Sequence, residues 1–228
     1  MTIANEISAL AAWDTPALSN ALDALRVRSF SVGYTDGSIH RITSGSLGTR
    51  GIMAGRAVTA RMVARGPGED GVPVSRLHQA ISDMDGPVVV VIEDLDRPPG
   101  AGGFLGEVNG SLLAALGIVG LVTNGRVRDV GELRRLPYPV HAAGLCVARS
   151  YMRLTEVGTS VTVAGMTVEP GDILHGDEHG VLSIPAEALP GITAKAELIR
   201  EDEQKVVGWS KSAGFSIPGL LTLRRVRH

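Results

Sequence analysis

The feature that most constrains the fold is an apolar run over residues 88–92, which follows Gly86 and Pro87. Five consecutive β-branched residues are typical of a strand covered on both faces. A Gly-rich loop, a helix predicted over 107–116 and a second apolar run over 117–123 follow it. The order strand, helix, strand predicts a parallel pair, because parallel strands need a crossover connection. The carboxyl ends of both strands then open on one edge of the sheet, where ligands gather in such folds.

The rest of the chain alternates between strand and helix patterns. Strands are predicted over residues 56–64, 140–148 and 157–168, and side chains alternate with a period of two in the first and the last of these. Helices are predicted from start signals or helical spacing of apolar residues, over residues 14–27, 74–84 and 194–207.

The organisation of these elements predicts one domain. The 228 residues fit a single core, because cores stop growing only at roughly 250 to 300 residues. The sequence contains no internal repeat and no low-complexity linker. We therefore expect a single α/β domain over residues 1–228, with N-terminal helices over about 1–27 and a C-terminal helical segment over about 186–228.

Charge and aromatic content argue against nucleic acid as a partner. The chain has 22 basic and 24 acidic residues, a formal charge of −2, and only 2 Trp, 3 Tyr and 3 Phe. It therefore lacks the positive field that attracts phosphates and has few rings for stacking bases. The cluster Arg224, Arg225 and Arg227 is a local exception, and a short basic tail is more typical of a solvated end.

Cysteine content and hydropathy predict a cytoplasmic protein. Cys146 is the only cysteine, which excludes an intramolecular disulfide and fits a reducing compartment. The first ten residues include Glu6 and lack the basic start and apolar core of a signal peptide. The longest uncharged stretch, residues 108–125, is interrupted by glycines, whereas a membrane span needs about 20 predominantly apolar residues. We expect no membrane association.

The Gly-rich loop over residues 100–106 is the first candidate ligand site. A dinucleotide fingerprint starting at Gly100 would need a third glycine at position 105, which is Leu105. The free amides at the start of the following helix, on Gly106, Glu107, Val108 and Asn109, are suited to a small carboxylate. A turn that needs positive φ explains the glycines of this loop equally well.

The second candidate is the pair Arg128 and Asp129, directly after the strand predicted over 117–123. Asp129 followed by Glu132 is also the pattern of a helix N-cap with a reciprocal partner. A guanidinium, however, binds a carboxylate through two bonds, and a neighbouring carboxylate is a ligand for a hard divalent cation. Together with the free amides, this pair predicts a site for a 2-oxo acid.

Three other polar clusters remain open. The first contains His175, Asp177, Glu178 and His179; its histidine spacing allows a transition metal, but the adjacent glycines favour a solvated turn. The second, Asp36, His40 and Arg41, lies in a polar loop and either shapes a pocket or is ordinary loop composition. The third contains Glu93, Asp94 and Asp96, which follow a strand and are explained equally well as its solvated end.

The ordered set of motifs carries a family resemblance that spans most of the chain. The matching segments are residues 19–25, 106–107, 117–120, 124–133, 168–172 and 177–181. In this order they resemble the RraA-like proteins, a family that includes the 4-hydroxy-4-methyl-2-oxoglutarate aldolases. The resemblance implies a β/β/α fold of the swivelling type, with mixed sheets and flanking helices. It also implies a homotrimer or hexamer with active sites between subunits, each using Mg²⁺ or Mn²⁺.

The same resemblance implies a role for each site residue. Asp129 binds the metal, and Glu107 holds metal-bound water. Arg128 contacts the pyruvyl moiety and assists a catalytic water, while the amides of residues 106–109 bind the substrate carboxylate. A carboxylate from the C-terminal helix of a neighbouring subunit completes the site. Glu203 is the first candidate for it and Glu201 is the second.

The implied activity is cleavage of a 2-oxo acid to pyruvate by retro-aldol reaction, by decarboxylation, or by both. A lysine Schiff base is not required, since a divalent cation withdraws electrons from the keto acid. The alternative is a non-catalytic protein that binds and inhibits a ribonuclease, as some RraA-like proteins do. Methyl transfer to a quinone ranks below both, because the sequence has no nucleotide-binding loop suited to a methyl donor.

Overall fold

A computed structural model describes residues 2–45, 51–68 and 70–226. Within them the strands are β1 (His40–Thr43), β2 (Met53–Val63), β3 (Val88–Asp94), β4 (Gly120–Thr123), β5 (Val140–Ala142), β6 (Arg153–Val157), β7 (Val161–Val163), β8 (Met166–Val168), β9 (Ile173–Asp177) and β10 (Gly180–Ile184). The helices are α1 (Ile3–Leu10), α2 (Thr15–Leu25), α3 (Val74–Ser82), α4 (Glu107–Ala115), α5 (Val130–Leu133), α6 (Leu189–Ser210) and α7 (Ile217–Val226), with a 3₁₀ turn over Ala186–Ala188.

The main sheet is mixed and has the order β1-β5-β4-β3-β2-β9-β10. The pairs β2–β3, β3–β4 and β4–β5 are parallel. The pairs β1–β5, β2–β9 and β9–β10 are antiparallel. The eleven-residue strand β2 pairs with β9 near its start and with β6 near its end, so two antiparallel strands share one of its edges. The predicted α/β fold with mixed sheets and flanking helices is confirmed.

The strand β3 is buried on both faces, as its composition predicts. Its residues Val88, Val90 and Ile92 belong to a core cluster shared with α3 and α4, whereas Val89 and Val91 face a second cluster beneath the β7–β8 hairpin. A third cluster joins α1, α2 and the first half of α6 to β9 and β10. Because successive side chains of a strand point to opposite faces, this single apolar run contributes to two core clusters.

The helix α2 illustrates how local signals set element ends. Asp14 caps its start, because the carboxylate accepts a hydrogen bond from the Ala17 amide at 2.7 Å, and Pro16 occupies an early position. The helix ends where Arg26 adopts a left-handed conformation with φ +55°. The start predicted from the sequence is confirmed.

The strand predicted over residues 140–148 is shorter than expected and ends at Ala142. Beyond it, the chain pairs with the loop that follows β4: the Val127 amide donates to the Gly144 carbonyl, and the Cys146 amide donates to the Val127 carbonyl. The backbone hydrogen bonds of residues 144–146 therefore hold the loop that carries Arg128 and Asp129.

The C-terminal helices are mostly exposed beyond the first half of α6. The buried residues of α6 all lie in its first half, and most residues after 198 are exposed. At the end of α6, the rings of Trp209 and Phe215 lie 5.1 Å apart and the Trp209 indole donates to the Gly214 carbonyl. We call residues 198–222 the C-terminal arm. The side chains of the basic cluster at 224–227 lie outside the described residues.

No helix in the described ranges has both the length and the apolar character needed to cross a bilayer.

Candidate functional site

The predicted site residues of one chain come together in a single cleft. The loop after β3 and the loop after β4 meet at the carboxyl edge of these parallel strands, at the start of α4. The cleft there has a volume of about 400 Å³. It is lined by Gly106, Glu107, Val108, Asn109, Arg128 and Asp129, and also by Val74, Gly103, Phe104, Arg149 and Met152.

Asp94 fixes the loop that precedes the cleft. Its carboxylate is fully buried and accepts hydrogen bonds from the amides of Gly100 at 2.6 Å and Asp96 at 3.0 Å. The Asn124 side chain binds both the amide and the carbonyl of Asp94, which ties the two loops together. Burial raises the pKa of Asp94. The solvated-end interpretation of Glu93, Asp94 and Asp96 is wrong, since all three are buried.

Asp129 turns its carboxylate toward the start of α4. Its backbone is left-handed, with φ +55°, and its side chain makes no capping bond to its own helix α5. Instead, Oδ2 accepts a hydrogen bond from the Glu107 amide at 3.0 Å and lies 3.4 Å from Nε of Arg128. The N-cap interpretation with Glu132 is therefore wrong. An unusual backbone conformation that aims a carboxylate into a cleft is a common feature of functional sites.

Gly106 is required by the close approach of the Arg128–Asp129 pair. A Cβ placed on this residue would lie 2.5 Å from Oδ2 of Asp129 and 3.1 Å from Nε of Arg128. Its φ of −146° is extended, so the absence of a side chain, and not a special backbone angle, is what this position needs.

The start of α4 offers amides to an anion. Amides in the first turn of a helix have no acceptor within the helix, and the helix dipole favours negative charge there. Within the described part of the chain, the Glu107 amide is taken by Asp129, while the Gly106, Val108 and Asn109 amides have no acceptor. The Asn109 side chain donates to the Phe104 carbonyl at 2.7 Å and holds the loop against the helix. Of the predicted amide nest, only the Glu107 amide is therefore engaged within the described residues.

The guanidinium and carboxylate are both accessible from the cleft. The Arg128 side chain is 38% exposed and the Asp129 side chain is 33% exposed. The Arg128 amide donates to the Leu105 carbonyl at 3.0 Å, so the backbone that carries the pair is joined to the Gly-rich loop. An exposed guanidinium, a carboxylate and three free amides can together bind a small anion that has several oxygen atoms.

The donor atoms of one chain fit a hard divalent cation incompletely. Glu107 and Asp129 are the two carboxylates of the cleft, and no group of three or more His, Cys, Asp or Glu side chains suited to a metal occurs among the described residues. Mg²⁺ is commonly bound by one or two carboxylates together with water and substrate oxygens. The pair therefore fits Mg²⁺ or Mn²⁺, provided that other ligands complete the shell.

Glu203 does not lie at this cleft within its own chain. It is exposed on α6 and lines a separate cleft of about 550 Å³, together with Trp13, Asp177 and Arg200. A contribution of Glu203 to the Arg128 cleft thus requires a second copy of the chain.

The histidine cluster is largely structural. His175 and Asp177 lie in β9 and are buried; Nδ1 of His175 lies 3.0 Å from the Thr15 hydroxyl, and the Thr15 amide donates to Asp177 at 2.8 Å. Burial lowers the pKa of His175 to about 4. The solvated-turn interpretation holds for Glu178 and His179 and is wrong for His175 and Asp177. These contacts join the start of α2 to the sheet.

The polar segment around residue 40 also lies elsewhere, and His40 and Arg41 belong to strand β1 instead of the predicted loop. Arg41 forms an ion pair with Glu178 at 2.9 Å, and the Asp36 carboxylate accepts a hydrogen bond from the Ser38 amide. Asp36, His40 and Arg41 do not line the Arg128 cleft.

Three residues of the cleft escaped sequence reasoning: Val74, Arg149 and Met152. Val74 begins α3, and the other two follow β5, far along the chain from Gly106 and Arg128. The only local signal for Arg149 is its position after a predicted strand.

The fold and the cleft define a mixed α/β protein with a candidate small-anion site at the carboxyl edge of its parallel strands. The family model for RraA-like proteins, described as Aldolase/RraA, matches residues 15–183. The chain belongs to this family.

Similar proteins agree with this assignment. A Photobacterium profundum protein named "putative 4-hydroxy-4-methyl-2-oxoglutarate aldolase" is 38% identical over 36% of this chain and 50% of its own length. An uncharacterised protein of Methanocaldococcus jannaschii is 42% identical over 40% of this chain and 44% of its own length. The matched segment thus spans at most half the length of these curated relatives.

Solved structures share the fold. RraAS2 of Streptomyces coelicolor, described as an unusual member of the RNase ES inhibitor RraA protein family, superposes with a TM-score of 0.69. The alignment covers 89% of this chain and 96% of that one, at 20% identity.

Proposed function

We propose that this protein is a divalent-metal-dependent lyase that cleaves or decarboxylates a 2-oxo acid to give pyruvate. The observation that carries the proposal is the orientation of Asp129, whose carboxylate is turned into the cleft between Arg128 and the start of α4. A relative whose name describes an aldolase of this kind supports the reaction class.

In this proposal Asp129 and Glu107 hold Mg²⁺ or Mn²⁺. Oδ2 of Asp129 contacts the Glu107 amide and Arg128, so Oδ1 would be the oxygen that holds the cation. Glu107, which is exposed and lines the cleft, would hold the cation through water. The bound cation supplies a Lewis acid that polarises the keto group of the substrate.

The remaining groups bind the substrate and move protons. The amides of Gly106, Val108 and Asn109 hold the carboxylate of the pyruvyl end, where the dipole of α4 favours negative charge. Arg128 contacts the pyruvyl moiety and positions a water that takes the proton from the C4 hydroxyl. The C3–C4 bond then breaks, its electron pair stays with the pyruvyl fragment, and C3 takes up a proton to give pyruvate.

The test is pyruvate release from a panel of 2-oxo acids by purified protein that has been stripped with a chelator. We expect no turnover without metal and recovery on addition of Mg²⁺ or Mn²⁺. The panel includes 4-hydroxy-4-methyl-2-oxoglutarate and oxaloacetate, which separate aldol cleavage from decarboxylation. Turnover that is equally fast with and without metal would reject the mechanism.

We further propose that the active unit is a cytoplasmic homotrimer or hexamer in which Glu203 completes the site of a neighbouring subunit. Two exposed apolar surfaces support association. The first is a stripe along α4 with a spacing of four residues, formed by Val108, Leu112 and Leu116. The second is the C-terminal arm, which exposes Leu198, Val207, Phe215, Ile217 and Leu221. Exposed apolar patches are typical of interaction surfaces.

Subunit mixing tests this arrangement. The variants Asp129→Asn and Glu203→Gln are each expected to be inactive, because each lacks one part of every shared site. Mixed oligomers should regain activity, since some sites then receive an intact Asp129 from one subunit and an intact Glu203 from another. Glu201→Gln is the matched control, and recovery in that pairing instead would assign the role to Glu201. Absence of recovery in both pairings would contradict a shared site.

The second candidate function is binding and inhibition of a ribonuclease, without catalysis. It is favoured by the shared fold with RraAS2, whose family is described as RNase ES inhibitors. The accessible Arg128–Asp129 pair favours the lyase, since a purely protein-binding role does not need it. If the protein inhibits a ribonuclease and has no lyase activity with any metal, ribonuclease inhibition becomes the better supported function.

A further inference from the structure

Arg149 is a second guanidinium in the cleft that holds Arg128. The residue lines the cleft and is exposed. Within the described residues, this side chain forms no hydrogen bond and no ion pair, unlike Arg128, which lies 3.4 Å from Asp129. A guanidinium that has no carboxylate partner in the protein is available to bind an anionic ligand.

The backbone around Arg149 is fixed against the Gly-rich loop. The Ala148 carbonyl accepts a hydrogen bond from the Gly103 amide at 3.1 Å, and the Arg149 carbonyl packs so closely on Gly102 that a side chain there has no room. On the other side, the Ser150 hydroxyl and the Tyr151 amide both donate to the Ala64 carbonyl. The backbone of residues 148–151, which carries the Arg149 side chain, is therefore held by contacts on both sides.

The other residues of the cleft already have proposed roles or cannot bind an anion, so Arg149 is the group available for a second anionic group of the substrate. Arg128 and the α4 amides serve the pyruvyl end, and Glu107 and Asp129 serve the metal. The other side chains of the lining are apolar or, for Asn109, engaged with the loop; they are Val74, Phe104, Val108, Asn109 and Met152. A volume of about 400 Å³ falls within the usual range for small-molecule sites, roughly 300 to 1,000 Å³, and exceeds the needs of a three-carbon acid.

We propose that Arg149 binds a second, distal carboxylate of the substrate and so selects dicarboxylic 2-oxo acids. This inference rests on the proposed function for the identity of the reacting end. In the aldol cleavage the distal carboxylate is unchanged when the C3–C4 bond breaks, and it leaves with the second product. Arg149 thus contributes equally to binding of the substrate and of the transition state, and acts on KM more than on kcat.

The test compares two anions of equal length that cannot be cleaved as aldols, 2-oxoglutarate and 2-oxopentanoate. Titration calorimetry in the presence of Mn²⁺ should find that the dicarboxylate binds the unmodified protein more tightly. In Arg149→Met this preference should fall by about tenfold or more, because a hydrogen-bonded charge pair is lost. Affinity for 2-oxopentanoate should stay unchanged. Arg149→Lys should restore part of the preference, since it keeps the charge and loses the two-bond geometry.

Arg126→Met is the matched control. Arg126 is also exposed and makes no side-chain hydrogen bond or ion pair with the described residues, but it does not line the cleft. Loss of one positive charge there should leave the preference for the dicarboxylate intact. An equal loss in both variants would attribute the effect to general charge and overturn the proposal.

The same comparison extends to turnover with 4-hydroxy-4-methyl-2-oxoglutarate and 4-hydroxy-4-methyl-2-oxopentanoate. Arg149→Met should raise KM for the first substrate alone. A preference in binding that depends on Arg149, without pyruvate release from any substrate, would contradict the proposed function and support the anion site. Equal affinity of the unmodified protein for both probe anions would overturn the assignment of Arg149, whatever the turnover.

Discussion

Replacement of Gly106 by Ala should impair activity far more than stability. The added Cβ would lie 2.5 Å from Oδ2 of Asp129, whereas real Cβ contacts are essentially never under 3.0 Å. The Asp129 carboxylate must therefore move by at least about 0.5 Å, away from the Glu107 amide that it accepts at 3.0 Å. The backbone at Gly106 is extended, so alanine adds no conformational strain.

The expected magnitude follows from the sensitivity of catalysis to geometry. A displacement of about 1 Å can lower a rate about 100-fold, so a loss of about 10- to 100-fold in kcat/KM for pyruvate release is expected. Loss of the hydrogen bond to Glu107 should cost no more than about 1 to 3 kcal/mol in the free energy of unfolding, measured in urea.

Gly131→Ala is the matched control for this experiment. Gly131 lies in α5, two residues after Asp129, and a Cβ there meets nothing within 4 Å. This variant should keep full activity. If Gly106→Ala also kept full activity and the normal requirement for metal, the position of the Asp129 carboxylate would not control the reaction.

Three further predictions concern ionisable groups, two at the cleft and its loops and one in the protein core. Asp94→Asn should lower the free energy of unfolding in urea by about 1 to 3 kcal/mol, because a carboxamide oxygen can replace only one of the two acceptors that bind Gly100 and Asp96. Arg128→Lys should lower kcat/KM for pyruvate release by about tenfold or more, since an ammonium lacks the planar fork. His175 has a folded-state pKa of about 4, below its value near 6.5 in unfolded chains, so its contribution to stability is complete above pH 6.5 and is lost as the pH falls toward 4. This loss amounts to about 3 kcal/mol, and His175→Gln should give a flatter pH profile of urea stability over that window.

The parallel strand pair and the cleft were predictable because their signals are local. The apolar run that forms β3 and the start of α4 can each be predicted from a few consecutive residues. The connection between parallel strands then determines which edge of the sheet carries the ligand site. Family resemblance then selected Arg128 and Asp129 among several polar clusters. The single-domain organisation stays a prediction.

The errors arose where distant segments decide the outcome. Asp129 matches a helix cap locally, but its carboxylate is bound by the Glu107 amide, 22 residues earlier in the chain. His175 resembles a turn residue until Thr15, 160 positions away, packs against it. Arg149 enters the cleft only because residues 148–150 rest on the Gly-rich loop. Single-sequence patterns contain no information about such contacts.

The most direct test of the account is Mn²⁺ binding to chelator-stripped protein, measured by titration calorimetry at a single pH. The unmodified protein should show a saturable site for each chain. Asp129→Asn should lose this binding while its thermal unfolding midpoint without metal stays unchanged, because asparagine has the same shape and can still accept the Glu107 amide. Equal Mn²⁺ affinity in both proteins would contradict the claim that Asp129 forms the metal site.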